Sequence, residues 1–166
     1  MSKSEEVKSL RVQKGKAQKV DKFSIKRGKV VGKKQRKSGD IVMEKVKTFE
    51  DLWIWQQARM LVKDIYADFG QGTIGCRDYG FKSQVQKACI SIMNNIAEGF
   101  ERNSNTEFAR FLDISKGSCG EVRSMYYPAE DLKYVTQHVA MQRREKAKQI
   151  SAGIASLASH LRKEIQ

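Results

Sequence analysis

Beyond Met43, apolar residues recur along this chain at steps of three and four, the period of a helix that buries one face. Phe81, Val85, Ala88, Cys89, Ile92 and Ile96 carry one such stripe. Phe108, Phe111, Leu112, Ser115, Cys119 and Val122 carry the next. The first stripe stops at Glu98-Gly99, where Gly99 suits the left-handed position that closes many helices. Ser104, followed three residues later by Glu107, reads as a capping box that opens the next helix. Two helices joined by so short a corner pack antiparallel.

The same period extends to both sides. A first helix is predicted from about Glu50 to Phe69, opened by Thr48 and Asp51. Leu52, Trp55, Ala58, Arg59, Val62, Ile65, Tyr66 and Phe69 follow its spacing, and Trp53 and Ile54 widen the apolar face. Gly70, Gly72 and Gly75 then break the pattern. Their loop lacks the GKS or GKT ending of a phosphate-binding loop and reads as a connection. The second helix is predicted from roughly Tyr79 to Ala97 and the third from Asn105 to about Leu132. Gly117 and Gly120 lie inside the third, each costing roughly 1 kcal/mol against alanine. Such a cost is more readily borne where a neighbour approaches closely. Pro128 should kink or end the helix locally. Lys133 to Thr136 make a turn, with Thr136 as cap, and a fourth helix runs to the end. Ile150, Ile154, Leu157, Leu161 and Ile165 form its narrow seam. No alternating strand pattern appears anywhere. The predicted fold is all-α, an antiparallel up-and-down four-helix bundle over 43–166.

Three strings in order are specific enough to carry a resemblance. They are Ser91-Ile92-x-x-Asn95-Ile96-Ala97-Glu98-Gly99, Glu107-Phe108-x-Arg110-Phe111-Leu112 and Ser115-Lys116-Gly117-Ser118-x-x-Glu121. With Phe49 to Ala58 and Ser83 to Ala88, they resemble the bacterial four-helix-bundle family of 23S rRNA intervening-sequence proteins. The likeness covers roughly Met43 to the C-terminus. The family usually has proline where this chain has Met93, and uninterrupted helix where it has Pro128. The resemblance implies a homopentameric ring of bundles. A related type of member serves retroelements by binding a reverse transcriptase, so the resemblance also admits a scaffold for a nucleic-acid enzyme.

Charge changes the picture at the N-terminus. The chain of 166 residues carries a net charge of +13, which points to nucleic acid first and an anionic surface second. Residues 1–42 hold 14 Lys and Arg against 4 Asp and Glu, a net of +10, and the remainder only +3. Their apolar residues are scattered singles, so a disordered basic tail is expected. Lys33, Lys34, Arg36 and Lys37 are its densest cluster and the expected phosphate contacts. The competing readings are a solvated extension without a partner and an extension from an early start codon. No run of about 18 apolar residues exists to span a membrane, and no apolar segment follows the basic N-terminus as in a signal peptide. Cys76, Cys89 and Cys119 lack CxxC spacing, Cys89 and Cys119 sit on apolar faces, and a cytoplasmic location is expected.

Candidate chemistry is sparse. His138 and His160 are too far apart to share a helix face as metal ligands. No GxSxG, HExxH or paired-glycine nucleotide fingerprint occurs. No enzyme activity, cofactor or metal is expected. Polar residues gather at the corner between the second and third helices. Asn95, Glu98, Lys116 and Glu121 are expected to form a network that fixes helix register, with Lys116 facing Glu98 or Glu121. The functional reading of the same corner makes Arg102 and Arg110 an RNA-recognition surface. Trp53 and Trp55 would suit a subunit interface. The leading expectation is therefore a non-enzymatic, self-associating bundle that binds RNA. A scaffold with a protein partner comes second and a purely structural oligomer third.

Overall fold

The computed structural model describes the backbone of residues 24–26, 29–35 and 41–45 and the whole of residues 46–165. Four helices dominate it: α1 (Trp53–Asp68), α2 (Tyr79–Glu101), α3 (Asn105–Asp131) and α4 (Gln137–Lys163). Each packs on the next in sequence, and α1 closes back on α4. Successive helices run antiparallel because their connections are short. The bundle is thus the all-α, up-and-down fold that the periodicity predicts.

Ahead of the bundle, the described residues include strands where the sequence shows no alternating pattern. Strands β1 (Ser24–Lys26), β2 (Lys29–Gln35) and β3 (Ile41–Lys45) form one antiparallel sheet in the order β1-β2-β3. Ile25 pairs with Val30, Lys34 with Val42 and Gln35 with Ile41. These β-branched residues favour extended backbone, a signal that their scattering hid. The other residues of 1–42 lie outside the described ones.

The core is a single cluster. Leu52, Ile54, Ala58, Leu61, Ile65 and Phe69 enter it from α1 and its flanks, with Val85, Cys89, Ile92 and Ile96 from α2. Leu112, Cys119, Val122 and Tyr126 come from α3, and Ile150, Ile154, Leu157 and Leu161 from α4. Full burial of each large side chain contributes roughly 1.5–3 kcal/mol. On α1 the buried stripe is rotated from the predicted one. Ile54 and Leu61 are buried, whereas Arg59 is exposed and Tyr66 is 45% exposed. The predicted seam of α4 holds as far as Leu161, but Ile165 lies past the helix and is 49% exposed.

Local chemistry sets the helix ends. Asp51 closes the 3-10 turn Phe49–Asp51 before α1, its Oδ2 accepting from the backbone of Lys47 at 2.9 Å and Thr48 at 3.2 Å. Those donors lower the Asp51 pKa. Asp78 caps α2 by accepting from Phe81 N at 3.0 Å, which holds its carboxyl below the usual range. Ser104 caps α3 by accepting from Glu107 N, and Thr136 caps α4 by accepting from Val139 N. The reciprocal half of the predicted Ser104 box is replaced, because Glu107 gives its carboxylate to Arg110. Lys133 takes the left-handed position after α3 at φ 59°. Pro128 neither ends nor interrupts α3, which runs to Asp131. Its ring is exposed, and its own carbonyl still accepts from Leu132 N at 2.9 Å. The carbonyl it deprives, on Ser124, is on an exposed residue that water can serve.

Four of the five glycines within the helices divide into two kinds. Gly99 does not close α2 in a left-handed conformation; the helix continues to Glu101, and Gly99 is buried within it. A Cβ there would lie 2.7 Å from Phe111 Cβ and 2.8 Å from Phe108 Cδ2. At Gly153 a Cβ would lie 2.8 Å from Ile54 Cγ2 and 3.0 Å from the Trp53 ring. Both glycines therefore permit close helix approach. Gly117 and Gly120, for which that role was expected, are exposed, and a Cβ on either would meet nothing within 4 Å.

Substitution by alanine should split these pairs. Gly99→Ala and Gly153→Ala are expected to cost about 1–3 kcal/mol in urea unfolding through overpacking. Gly117→Ala should raise stability by up to about 1 kcal/mol.

Burial also pushes the Cys89 and Cys119 thiols up to about 12. At pH 8 a thiol reagent should label Cys76 readily and the other two only after unfolding.

Candidate nucleic-acid interface

The α2–α3 corner is built around Phe111. Its ring is almost fully buried, with the Arg102 guanidinium 5.2 Å and the Arg110 guanidinium 4.8 Å from its centroid. Arg102 also pairs with Glu98 at 2.7 Å, one helical turn back. Arg110 pairs with Glu107 at 3.1 Å. Both arginines remain half exposed. Their charges are thus offset locally, and both guanidinium groups stand over the ring of Phe111. Phe100 and Phe108 stack edge to face beneath the corner at 5.9 Å.

Behind the corner, a seam of small polar side chains joins α2 to α3. Asn95 Nδ2 donates to Ser91 O at 2.7 Å and to Ser91 Oγ at 3.0 Å. Ser91 Oγ lies 2.9 Å from Ser118 Oγ, and Ser118 Oγ donates to Ile114 O at 3.2 Å. With that proton committed, Ser118 accepts from Ser91. Buried Ser115 donates to Ile92 O at 2.9 Å. Every hydroxyl in this seam has a partner, so it sets register without leaving an orphaned group.

The predicted network is only partly this one. Asn95 belongs to it. Glu98 pairs instead with Arg102, and Glu121 accepts from Gln84 across α2 and α3. Lys116 is exposed, and no described ion pair joins it to Glu98 or Glu121. For Glu98 an exposed i,i+4 partner was nearer to hand than a cross-helix pair. Lys33 and Lys34 lie on β2, opposite Met43 and Val42 in register. Arg36 and Lys37 lie outside the described residues.

A second polar centre was not predicted. Asp68, at the end of α1, receives Arg143 Nε at 2.8 Å and Nη2 at 2.9 Å, a forked pair. Tyr126 Oη donates to Asp68 Oδ2 at 2.6 Å. Asp64 adds a longer contact to Arg143 at 3.5 Å. Three helices therefore meet at one carboxylate. Burial, then the Asp68 hydrogen bond, raise the Tyr126 pKa, and the Asp68 hydrogen bond raises that of Arg143. Arg143 and Asp68 are 75 residues apart, beyond the reach of any local spacing rule. The only sequence signal was a charge at each otherwise apolar helix edge. Nearby, Arg144 pairs with Glu130 at 2.6 Å and covers the Tyr127 ring at 4.4 Å.

The two tryptophans are both engaged within the chain. Trp53 lies against Gly153 of α4, and Trp55 meets Phe49 edge to face at 5.1 Å. His138 and His160 stand at opposite ends of α4, with His138 Nε2 2.9 Å from Gln142 Nε2. Among the described residues no group of three His, Cys, Asp or Glu is placed to hold a metal ion. Among them, too, no helix is long and apolar enough to cross a membrane.

Together these contacts define a four-helix-bundle protein whose α2–α3 corner is tied by stacked arginines and hydrogen-bonded serines. The 23S rRNA-intervening sequence protein family matches residues 50–156, which span α1 to α3 and most of α4, and the chain belongs to that family. Among curated proteins, none matches the chain.

The Asp68 centre yields a stability test. Asp68→Asn leaves the Arg143 charge largely uncompensated and should cost roughly 3 kcal/mol. Tyr126→Phe should cost about 1 kcal/mol. The double variant Asp68→Asn, Arg143→Met should recover much of the first loss, read from the midpoints of urea unfolding.

Proposed function

We propose that this protein is a non-enzymatic bundle that self-associates and binds RNA. The observation that carries this reading is the uneven charge: +10 over residues 1–42 against +3 over the rest. Such an arm suits a polyphosphate partner, bound mainly through counterion release rather than base reading. Lys33, Lys34, Arg36 and Lys37 are its proposed phosphate contacts. Arg102 and Arg110 contribute less, since each is already paired and stacked. Family resemblance makes a closed ring of five subunits the first choice of assembly.

A second reading, a scaffold for a nucleic-acid enzyme such as a retroelement reverse transcriptase, is favoured by one observation. Ile74, Tyr79 and Leu132 are 72%, 76% and 53% exposed, and all lie at the same end of the bundle. Large apolar side chains gathered in that way mark protein contacts more often than chance.

Binding of a labelled RNA by the full chain, measured over a range of salt, tests the first reading. Changing Lys33, Lys34, Arg36 and Lys37 together to alanine should flatten the plot of log affinity against log salt by roughly 3 units. Affinity should fall about equally for all sequences. No binding at physiological salt removes the RNA reading and leaves the scaffold. Sedimentation that finds only monomer at high concentration removes the ring.

A further inference from the structure

Most arginines of the bundle are spent on acids. Arg102, Arg110, Arg143, Arg144 and Arg162 all sit in ion pairs. Two basic residues of α1 stand apart. Arg59 and Lys63 are exposed, and neither takes part in an ion pair among the described residues. Four residues apart on one helix, their Cα atoms are separated by roughly 6 Å along its axis. Other exposed lysines, such as Lys87 and Lys116, share that freedom but not the surroundings.

Arg59 and Lys63 line an open groove of about 370 Å³ on the outer side of α1, with Trp55, Gln56 and Met60. Its lining is mostly apolar. Trp55 is fixed by Phe49 at its edge, and the Arg59 guanidinium stands over the indole at 5.9 Å. Met60 is 54% exposed beside them. Gln56 is held in place, its Nε2 donating to Glu50 O at 2.7 Å. The groove thus pairs two cations that have no ion-pair partner among the described residues with a preset aromatic platform, on which Arg59 itself leans.

We infer that this groove is a binding site for single-stranded RNA, a proposal that rests on the RNA-binding reading above. Lys63 and Arg59 meet successive phosphates. An unpaired base lies on Met60, the indole and the guanidinium plane, a surface that stacked bases seek. A duplex keeps its base faces covered and cannot use the platform. Charge complementarity selects a polyanion over a neutral helix. The aromatic floor selects one with exposed rings.

The test uses the full chain and a labelled single-stranded oligoribonucleotide of mixed sequence. Arg59→Ala with Lys63→Ala should weaken binding roughly tenfold at about 150 mM salt and flatten the salt slope by about 1.4 units, two contacts at about 0.7 each. Both residues are exposed, so thermal melting should be unchanged. In a Trp53→Phe background, the RNA should quench the remaining Trp55 emission, and a duplex of the same composition should not. If the unmodified protein binds RNA but the double variant binds with the same affinity and slope, the groove is not the site and the RNA reading survives. Loss of affinity without Trp55 quenching overturns the stacking platform. If the unmodified protein does not bind, both proposals fall.

Discussion

The close contact of α2 with α3 at Gly99 is the constraint on which the rest of the bundle depends. Only a residue without a Cβ lets Phe108 and Phe111 approach the α2 backbone there. That approach places Phe111 under both arginines, and it brings Ser91 level with Ser118 about two turns away along the pair. Packing and polar satisfaction therefore specify the same register. A shift of one residue along either helix would strand hydroxyls among apolar neighbours, where each unpaired group costs about 1–3 kcal/mol. The Asp68 carboxylate does the corresponding work for the other helices by fixing α1 against α3 and α4.

How much of this could be read from the sequence follows the range of each interaction. Caps at Ser104 and Thr136 and the stripes of α2, α3 and α4 depend on residues within a turn or two of one another. Those were legible. The phase of the α1 stripe was not, because Trp53, Ile54 and Trp55 are all apolar and leave two faces open as candidates. Burial of Ile54 was decided by Gly153, nearly a hundred residues on. The role of Gly99 was misread for a similar reason. Glycine near a helix end usually means left-handed backbone, whereas here the determining atoms belong to the following helix.

The candidate site shows the same division. Arginines beside aromatic residues and a tight corner look like a recognition surface when only composition is visible. Geometry assigns their guanidinium groups to Phe111 and to carboxylates one turn away. What distinguishes a cation available to an anion is the lack of a carboxylate partner, and a sequence shows poorly which neighbours will be in reach. Arg59 illustrates this. Asp51, the acid eight residues before it, is engaged in capping the chain at Lys47 and Thr48. Asp64, one residue beyond Lys63, is drawn across to Arg143.

That last detail links the structural centre to the proposed site. Lys63 has no acid three or four residues away on α1, and Asp64, its neighbour in sequence, turns its carboxylate to Arg143 at 3.5 Å. Arg143 is in turn held by the fork to Asp68. The carboxylate pair on α1 faces α4, while the cation pair Arg59 and Lys63 faces outward. One helix thereby separates its charges by face: the acids stabilise the bundle, and the bases remain free for an external anion. A helix with small net charge can present a strongly basic surface on those terms, because interactions fall off sharply beyond about 8 Å at physiological ionic strength. The bundle's modest net charge of +3 is therefore a poor guide to its binding capacity, and the arrangement of its ion pairs is the better one.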